Sequence, residues 1–223
     1  MSTPKVSVII PALNEADSIA DTLSSVGPCH EVIVVDGSST DSTREVAALS
    51  GATVVTAQAG RGLQMDSGAG AATGDVFVFL HADTLLPHGW REDVEKAVLS
   101  GCVGGAFRLS IASGGAWMRV VERVANFRSA LGLIYGDQAM FVTRESFFRA
   151  GGFKRLPLME DVDLVKRLRK LGRVVVLEKR VVTSPRRWTR GGRVRNTLRN
   201  WLMLSLYFAG VAPERLYRMY YGK

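Results

Sequence analysis

Four short runs rich in valine and isoleucine, most of them followed by polar or acidic residues, constrain the fold of this chain more than anything else in it. Residues 5–11 read Lys-Val-Ser-Val-Ile-Ile-Pro, a β-branched run stopped by proline, and residues 32–36 read Val-Ile-Val-Val-Asp. Residues 52–57 and 75–81 repeat the theme. Such runs are what strands buried in a sheet look like. The stretches between the first three are helical in character. Asn14 is placed to cap a helix whose Ile19 and Leu23 share a face, and a second helix is expected to run to about Ser50 and stop at Gly51. Strands alternating with helices predict an α/β fold with a mostly parallel sheet covered on both sides.

The pattern changes after Trp90. Residues 104–111 alternate as a strand, 116–131 read as a helix and 138–143 as another strand. Residues 161–171 read as a helix, with Leu164, Val165, Leu168 and Leu171 on one stripe before Gly172. Residues 193–209 read as a last helix, with arginines early and Trp201, Leu202, Leu204, Leu206, Tyr207 and Phe208 later. No repeat or linker interrupts the chain, so one mixed α/β domain with a basic helical tail is expected.

In open parallel sheets, ligands bind beyond the carboxyl ends of the strands. Here those ends carry Asn14 and Glu15, then Asp36 to Ser39, then His81 and Asp83. Asp36 can accept hydrogen bonds from a base or ribose, or it can simply build a turn before Gly37. Asp83 can coordinate a hard divalent cation that also grips a diphosphate, with His81 two residues away, or both can be ordinary strand-end residues. There is no G-x-G-x-x-G after the first strand and no G-x-x-x-x-G-K-[ST] anywhere, which argues against a dinucleotide enzyme and a P-loop.

The segments 7–15 (Ser-Val-Ile-Ile-Pro-Ala-Leu-Asn-Glu), 32–41 (Val-Ile-Val-Val-Asp-Gly-Ser-Ser-Thr-Asp) and 77–84 (Phe-Val-Phe-Leu-His-Ala-Asp-Thr) resemble the family 2 glycosyltransferases of GT-A fold. Gly-Asp-Gln (136–138) and Met-Glu-Asp-Val-Asp-Leu (159–164) match as well, and the resemblance spans roughly residues 5–185. It implies a Rossmann-like sheet, a nucleotide-diphosphate-sugar donor, a divalent cation (Mn²⁺ or Mg²⁺) and inversion at the anomeric carbon. A glycosyltransferase domain would cover residues 1–190, with a nucleotide-binding half to about 85, an acceptor half to about 190 and a tail at 191–223. Carried over residue by residue, Pro11, Leu13 and Glu15 would line the nucleotide pocket, and Asp36 and Ser38 would meet the donor. Asp83 would be the metal-binding acid, Asp161 the catalytic base, and Asp137, Gln138 and Glu160 would lie on the acceptor side. His81 replaces the first acid of the family's Asp-x-Asp and is a second candidate ligand. Met65-Asp66 replaces a frequent Arg-Asn, and Arg61 is the candidate cationic contact in its stead. Arg186 and Arg187 are candidates for gripping the diphosphate from a loop.

The net charge of +8 is concentrated after Lys166, notably at Arg186, Arg187, Arg190, Arg193, Arg195 and Arg199. A basic end suits anionic lipid, a phosphate-bearing substrate or nucleic acid. Nucleic acid is the poorest fit, because the strand-end acids would repel its backbone. The apolar part of the tail either packs on the domain, which is the favoured expectation, or lies on a membrane, where a lipid-linked acceptor would be within reach. The sequence opens without a basic n-region or cleavage site, and Cys29 and Cys102 suit reduced thiols, so a cytoplasmic protein is expected, on the membrane face if peripheral. The rival readings are a sugar nucleotidyltransferase, which would need a glycine-rich loop after the first strand, and a non-enzymatic basic binding module.

Overall fold

A computed structural model describes residues 3–112, 115–130, 132–186 and 193–222. Its first half follows the valine runs. Strands β1 (Val6–Ala12), β2 (Glu31–Asp36), β3 (Thr53–Thr56) and β4 (Val76–Phe79) are parallel, with β1 between β2 and β4, and Val8 opposite both Val32 and Val78. Alternate residues of these strands feed two cores. Val8, Ile10 and Val34 meet Ile19 and Leu23 of helix α1 (Ala16–Val26) and Ala47 of α2 (Thr43–Leu49) on one face. Ile9, Ile33 and Val35 meet Met65 and Ala69 of α3 (Arg61–Ala71) on the other. Burial on both faces is why the runs carry no alternation of their own.

Beyond β4 the sheet becomes mixed. After β5 (Thr84–Leu85) and α4 (Trp90–Leu99) come β6 (Gly104–Ile111) and α5 (Ala116–Ala130). A 3-10 turn (Gly136–Gln138) then leads into β7 (Met140–Thr143) and α6 (Arg144–Arg149). Helix α7 (Glu160–Leu168) and β8 (Val174–Thr183) complete the sheet, whose order is β3-β2-β1-β4-β7-β6-β8-β5. Strand β7 runs antiparallel between β4 and β6, so the acidic start of α7 comes back to the same rim as the ends of β1 and β4.

The sequence reading changes in three places. Helix α3, which carries Arg61 and Met65-Asp66, and strand β8 were not anticipated, and Gln138 sits in the 3-10 turn rather than in β7. The tail forms α8 (Arg193–Phe208) and α9 (Pro213–Tyr221). It packs on the domain: Met203 and Leu216 are buried against Met159 and Val162 at the start of α7. Both cysteines are free thiols, and burial raises the thiol of Cys29 above its ordinary value. Among the described residues no helix is long and apolar enough to cross a membrane.

Candidate functional site

A cavity of about 1000 Å³ opens at this rim. It is lined by Pro11, Leu13 and Glu15 after β1, by His81 and Asp83 after β4, and by Asp137, Glu160 and Asp161 of the 3-10 turn and α7. The loops after β1 and β2 are braced against each other. Asn14 Oδ1 accepts from Thr40 N–H (2.9 Å), Ser39 Oγ accepts from Asn14 N–H (2.9 Å), and Thr43 Oγ1 accepts from Glu15 N–H (2.8 Å). Asn14 therefore does not cap α1. Its backbone is left-handed (φ 54°), Glu15 is the N-cap residue, and Asp41 Oδ2 receives the Ala16 N–H from the neighbouring loop. Ser38 (φ 72°), Ala139 (φ 47°) and Met159 (φ 67°) are left-handed as well. All four lie in loops around this rim, and backbone held in that region concentrates at functional sites.

Asp161 is 5% exposed and fixed from two sides. Its Oδ2 accepts from Gly136 N–H (2.7 Å) and its Oδ1 from Val162 N–H (2.7 Å). A Cβ on Gly136 would lie 3.3 Å from both Asp161 Oδ2 and His81 Nε2, so glycine lets β4's end and α7's start close on one another. Beside it, Arg61 Nε lies 2.5 Å from Glu160 Oε1, and an Arg61 terminal nitrogen lies 3.7 Å from Asp161 Oδ2. Burial works against the charge of Arg61, but Glu160, Asp161 and Asp137 outweigh it and hold the guanidinium above its ordinary value. Glu160 is thus neutralised by a partner 99 positions away, while Asp161 keeps its place through backbone N–H groups. Gly62 belongs to the same device, because a Cβ there would press within 3.3 Å of Glu160 Cγ.

Arg186 ties the donor side together. It donates to Glu15 Oε2 and to Ser18 Oγ (3.2 Å) and stands 3.7 Å from Asp83 Oδ2. The bond to Glu15 is the main reason its guanidinium sits above the ordinary value. Among the described residues no three His, Cys, Asp or Glu side chains converge as a metal cage. A carboxylate with a neighbouring imidazole on a cavity floor fits a different kind of site, in which a hard cation is shared with phosphate oxygens and water.

Some expected residues stand elsewhere. Asp36 is fully buried, its carboxylate accepting from Ser38 N–H (3.1 Å) and Ser39 N–H (3.1 Å), with Arg44 Nε 3.9 Å away. It builds the turn, and neither Asp36 nor Ser38 is among the cavity-lining residues. Gln138, expected on the acceptor side, is buried: it accepts from Ser129 Oγ (2.7 Å) and Tyr135 N–H (3.3 Å), and donates to Phe107 O (3.0 Å). These bonds tie the 3-10 turn to α5 and β6. Met65 is core, and Asp66 receives Phe153 N–H (3.0 Å). Arg187 lies outside the described residues.

Other cavity residues were not anticipated. Gln64 is buried and donates to Ala12 O (2.9 Å) and Val35 O (2.8 Å), clamping the ends of β1 and β2. Tyr135 faces the cavity, with the Arg128 guanidinium 3.3 Å from its ring centroid, and burial pushes its hydroxyl well above the ordinary value. Asn200 and Met203 of α8 and Tyr217, Tyr220 and Tyr221 of α9 complete the wall. The aromatic spacing in the tail was the available signal, and it reads equally well as packing.

Comparison with known proteins agrees with this geometry. The family model described as Glycosyl transferase family 2 matches residues 7–156. Glucosyl-3-phosphoglycerate synthase of Mycobacterium tuberculosis is 35% identical over 97 residues, covering 37% of this chain and 30% of that protein. The chain thus spans about a third of the length of that curated relative. S. aureus TarS in complex with UDP-GlcNAc superposes with a TM-score of 0.64 at 17% identity, covering 81% of this chain and 58% of that one. The mannosyltransferase PcManGT from Pyrobaculum calidifontis, with GDP-Man and Mn²⁺, gives 0.63 at 23% identity, covering 82% and 57%. At these identities the two structures establish a shared fold.

Proposed function

Because this chain belongs to glycosyl transferase family 2, we propose that it transfers a sugar from a nucleotide-diphosphate-sugar donor to an acceptor hydroxyl, with inversion at the anomeric carbon. The observation that carries the proposal is Asp161, a carboxylate clamped by two backbone N–H groups in the cavity that Asp83 and Glu15 also line. The solved relatives bound to UDP-GlcNAc and to GDP-Man with Mn²⁺ support it. In this reading Pro11 and Leu13 border the nucleotide and Glu15 reaches it from the braced loop, whose turn Asp36 and Ser38 build.

Asp83, with His81 beside it, would hold a divalent cation, Mn²⁺ or Mg²⁺, which when bound neutralises charge on the diphosphate. Arg186, next to Asp83, adds a guanidinium suited to phosphate oxygens. Asp161 accepts the proton of the attacking hydroxyl on the side of the sugar opposite the diphosphate. Glu160 is held by Arg61 and so leaves that role to its neighbour. Asp137 and Tyr135 border the acceptor. Incubation with nucleotide sugars is the test: release of a nucleoside diphosphate supports transfer, and release of pyrophosphate contradicts it.

Peripheral membrane contact belongs to the proposal on one observation. Helix α8 packs one face on the domain yet leaves Leu198 56%, Trp201 45% and Leu202 52% exposed on the other, with Arg195 exposed at its start. An apolar face beside arginines suits an anionic bilayer and would bring a lipid-borne acceptor within reach. Cosedimentation with anionic but not neutral vesicles, lost in Trp201→Ser, supports this contact. No binding to either kind contradicts it.

A further inference from the structure

We propose that the chain carries a second binding site, for a phosphate ester, in a cavity of about 520 Å³ that shares no lining residue with the first. Arg108 of β6, Arg180 of β8 and Arg169 at the C-cap of α7 line it, and among the described residues no acid does. The two strand arginines are brought together by a break in the sheet. Strands β6 and β8 run parallel with Phe107 opposite Leu177, and an unbroken register would set Glu178 opposite Arg108. The register shifts at that point, and Arg180 stands opposite Arg108 instead. Both remain on the face of Val174 and Val176, which line the same cavity. Like charges at directly opposed positions repel, and a bulge is a device that re-aims side chains. A phosphate held between the two guanidiniums turns that repulsion into attraction. Glu178 reaches Arg108 (2.8 Å), but its side chain is 81% exposed, and a pair in solvent is weakly held.

The third arginine is seated by the backbone. A cation suits the end of a helix, which accounts for Arg169 but not for the arginines of the strands. Gly132 (φ 88°) makes room for it, since a Cβ there would stand 1.8 Å from Arg169 Nη1. The side-chain amide of Asn126 is occupied by Leu109 N–H (2.8 Å) and Leu109 O (2.9 Å), so recognition of a ligand falls to the guanidiniums. Phe127, 69% exposed, and the half-buried Val174 and Val176 offer an apolar surface beside them. That combination suits a phosphate joined to a carbon body better than a bare inorganic ion. A soluble ester and the headgroup of an anionic lipid both present this chemistry. The site stands apart from the glycosyl-transfer reading and is tested without turnover.

The test is calorimetry on the full chain in EDTA with phenyl phosphate and inorganic phosphate, beside cosedimentation with phosphatidic acid and phosphatidylcholine vesicles. Phenyl phosphate should bind more tightly than inorganic phosphate. Arg108→Gln and Arg180→Gln should each weaken it about tenfold or more, while Arg186→Gln, beside Asp83, leaves it unchanged. Arg180→Gln removes a like-charge pair, so its melting temperature should not fall, and lost binding is then not lost folding. Binding of phenyl phosphate that fails in these two variants supports the site with a soluble ester as its ligand. Binding of phosphatidic acid vesicles alone, lost in the same two variants, supports it with a lipid headgroup. Binding of neither probe, or binding that both variants retain, overturns the site. Binding lost only in Arg186→Gln places the phosphate on the donor side and overturns it equally. Inorganic phosphate bound as tightly as phenyl phosphate overturns the ester.

Discussion

The donor and acceptor sides of the site are built by opposite means. On the donor side the loops after β1 and β2 brace each other through short polar side chains close to the strands they follow, as with Asp36 on Ser38 and Ser39 and Asn14 on Thr40. On the acceptor side each group is held by something distant in the chain: Glu160 by Arg61, Asp161 by Gly136, Gln138 by Phe107. The first side is an assembly of turns, stable wherever its two strands pair. The second exists only once α3, α7, the 3-10 turn and the tail have come together. Damage to the first should therefore show as lost donor binding, and damage to the second as lost stability and turnover together.

The largest expected effect lies on the donor side. Asp83→Ala, or EDTA on the intact chain, should abolish nucleotide-diphosphate binding measured by calorimetry while leaving thermal stability nearly unchanged. His81→Ala should cost less, since an imidazole is the weaker choice for a hard cation. Full donor binding in chelator would remove the cation from the account. On the acceptor side, Arg61→Met leaves the Glu160 carboxylate buried without its cation, and chemical denaturation should show a loss of about 3 kcal/mol. Adding Glu160→Gln should restore much of it, and an additive double variant would break the claimed pairing. Gln138→Ala strands the partners of a buried amide and should cost about 2 kcal/mol.

The smallest effect lies away from the cavity, at the far end of β2. Burial works against the Glu31 charge, but hydrogen bonds from Ser7 Oγ (2.6 Å), Thr73 N–H (2.6 Å) and Gly74 N–H (3.2 Å) outweigh it and set the carboxyl below its ordinary value. A depressed value means stabilisation that is present at neutral pH and is lost as the pH falls through the folded-state value. Glu31→Gln should therefore lower stability at pH 7 and flatten its decline in acid. An unchanged acid limb in denaturation curves would show that the tie is idle.

This contrast also explains what could be read in the sequence. The four parallel strands, α1 and the boundaries of β6 were legible because burial leaves a direct mark on composition. Helix α3 was missed because Gly62, Gly68 and Gly70 weaken its helical signal, although Gly62 is there to admit Glu160. Strand β8 was missed because Glu178, Lys179 and Arg180 interrupt its valines beside the point where its register with β6 shifts. The acids at the strand ends stood out as a set, but whether each faced a ligand or its own turn depended on partners that no local pattern records. Asp36 went to its turn, and Arg61 went to Glu160. The packing of the tail was expected, whereas its share of the cavity wall was not.

The central claim, that Asp161 acts on the acceptor proton while Glu160 is held by Arg61, is tested most directly by Asp161→Asn and Glu160→Gln side by side. Turnover of a nucleotide sugar and calorimetric donor affinity would be measured for both. Asp161→Asn should lose about a hundredfold or more in turnover with donor affinity nearly intact, and Glu160→Gln should lose far less turnover. An inactive Glu160→Gln beside a near-normal Asp161→Asn would contradict the account and move the base by one residue.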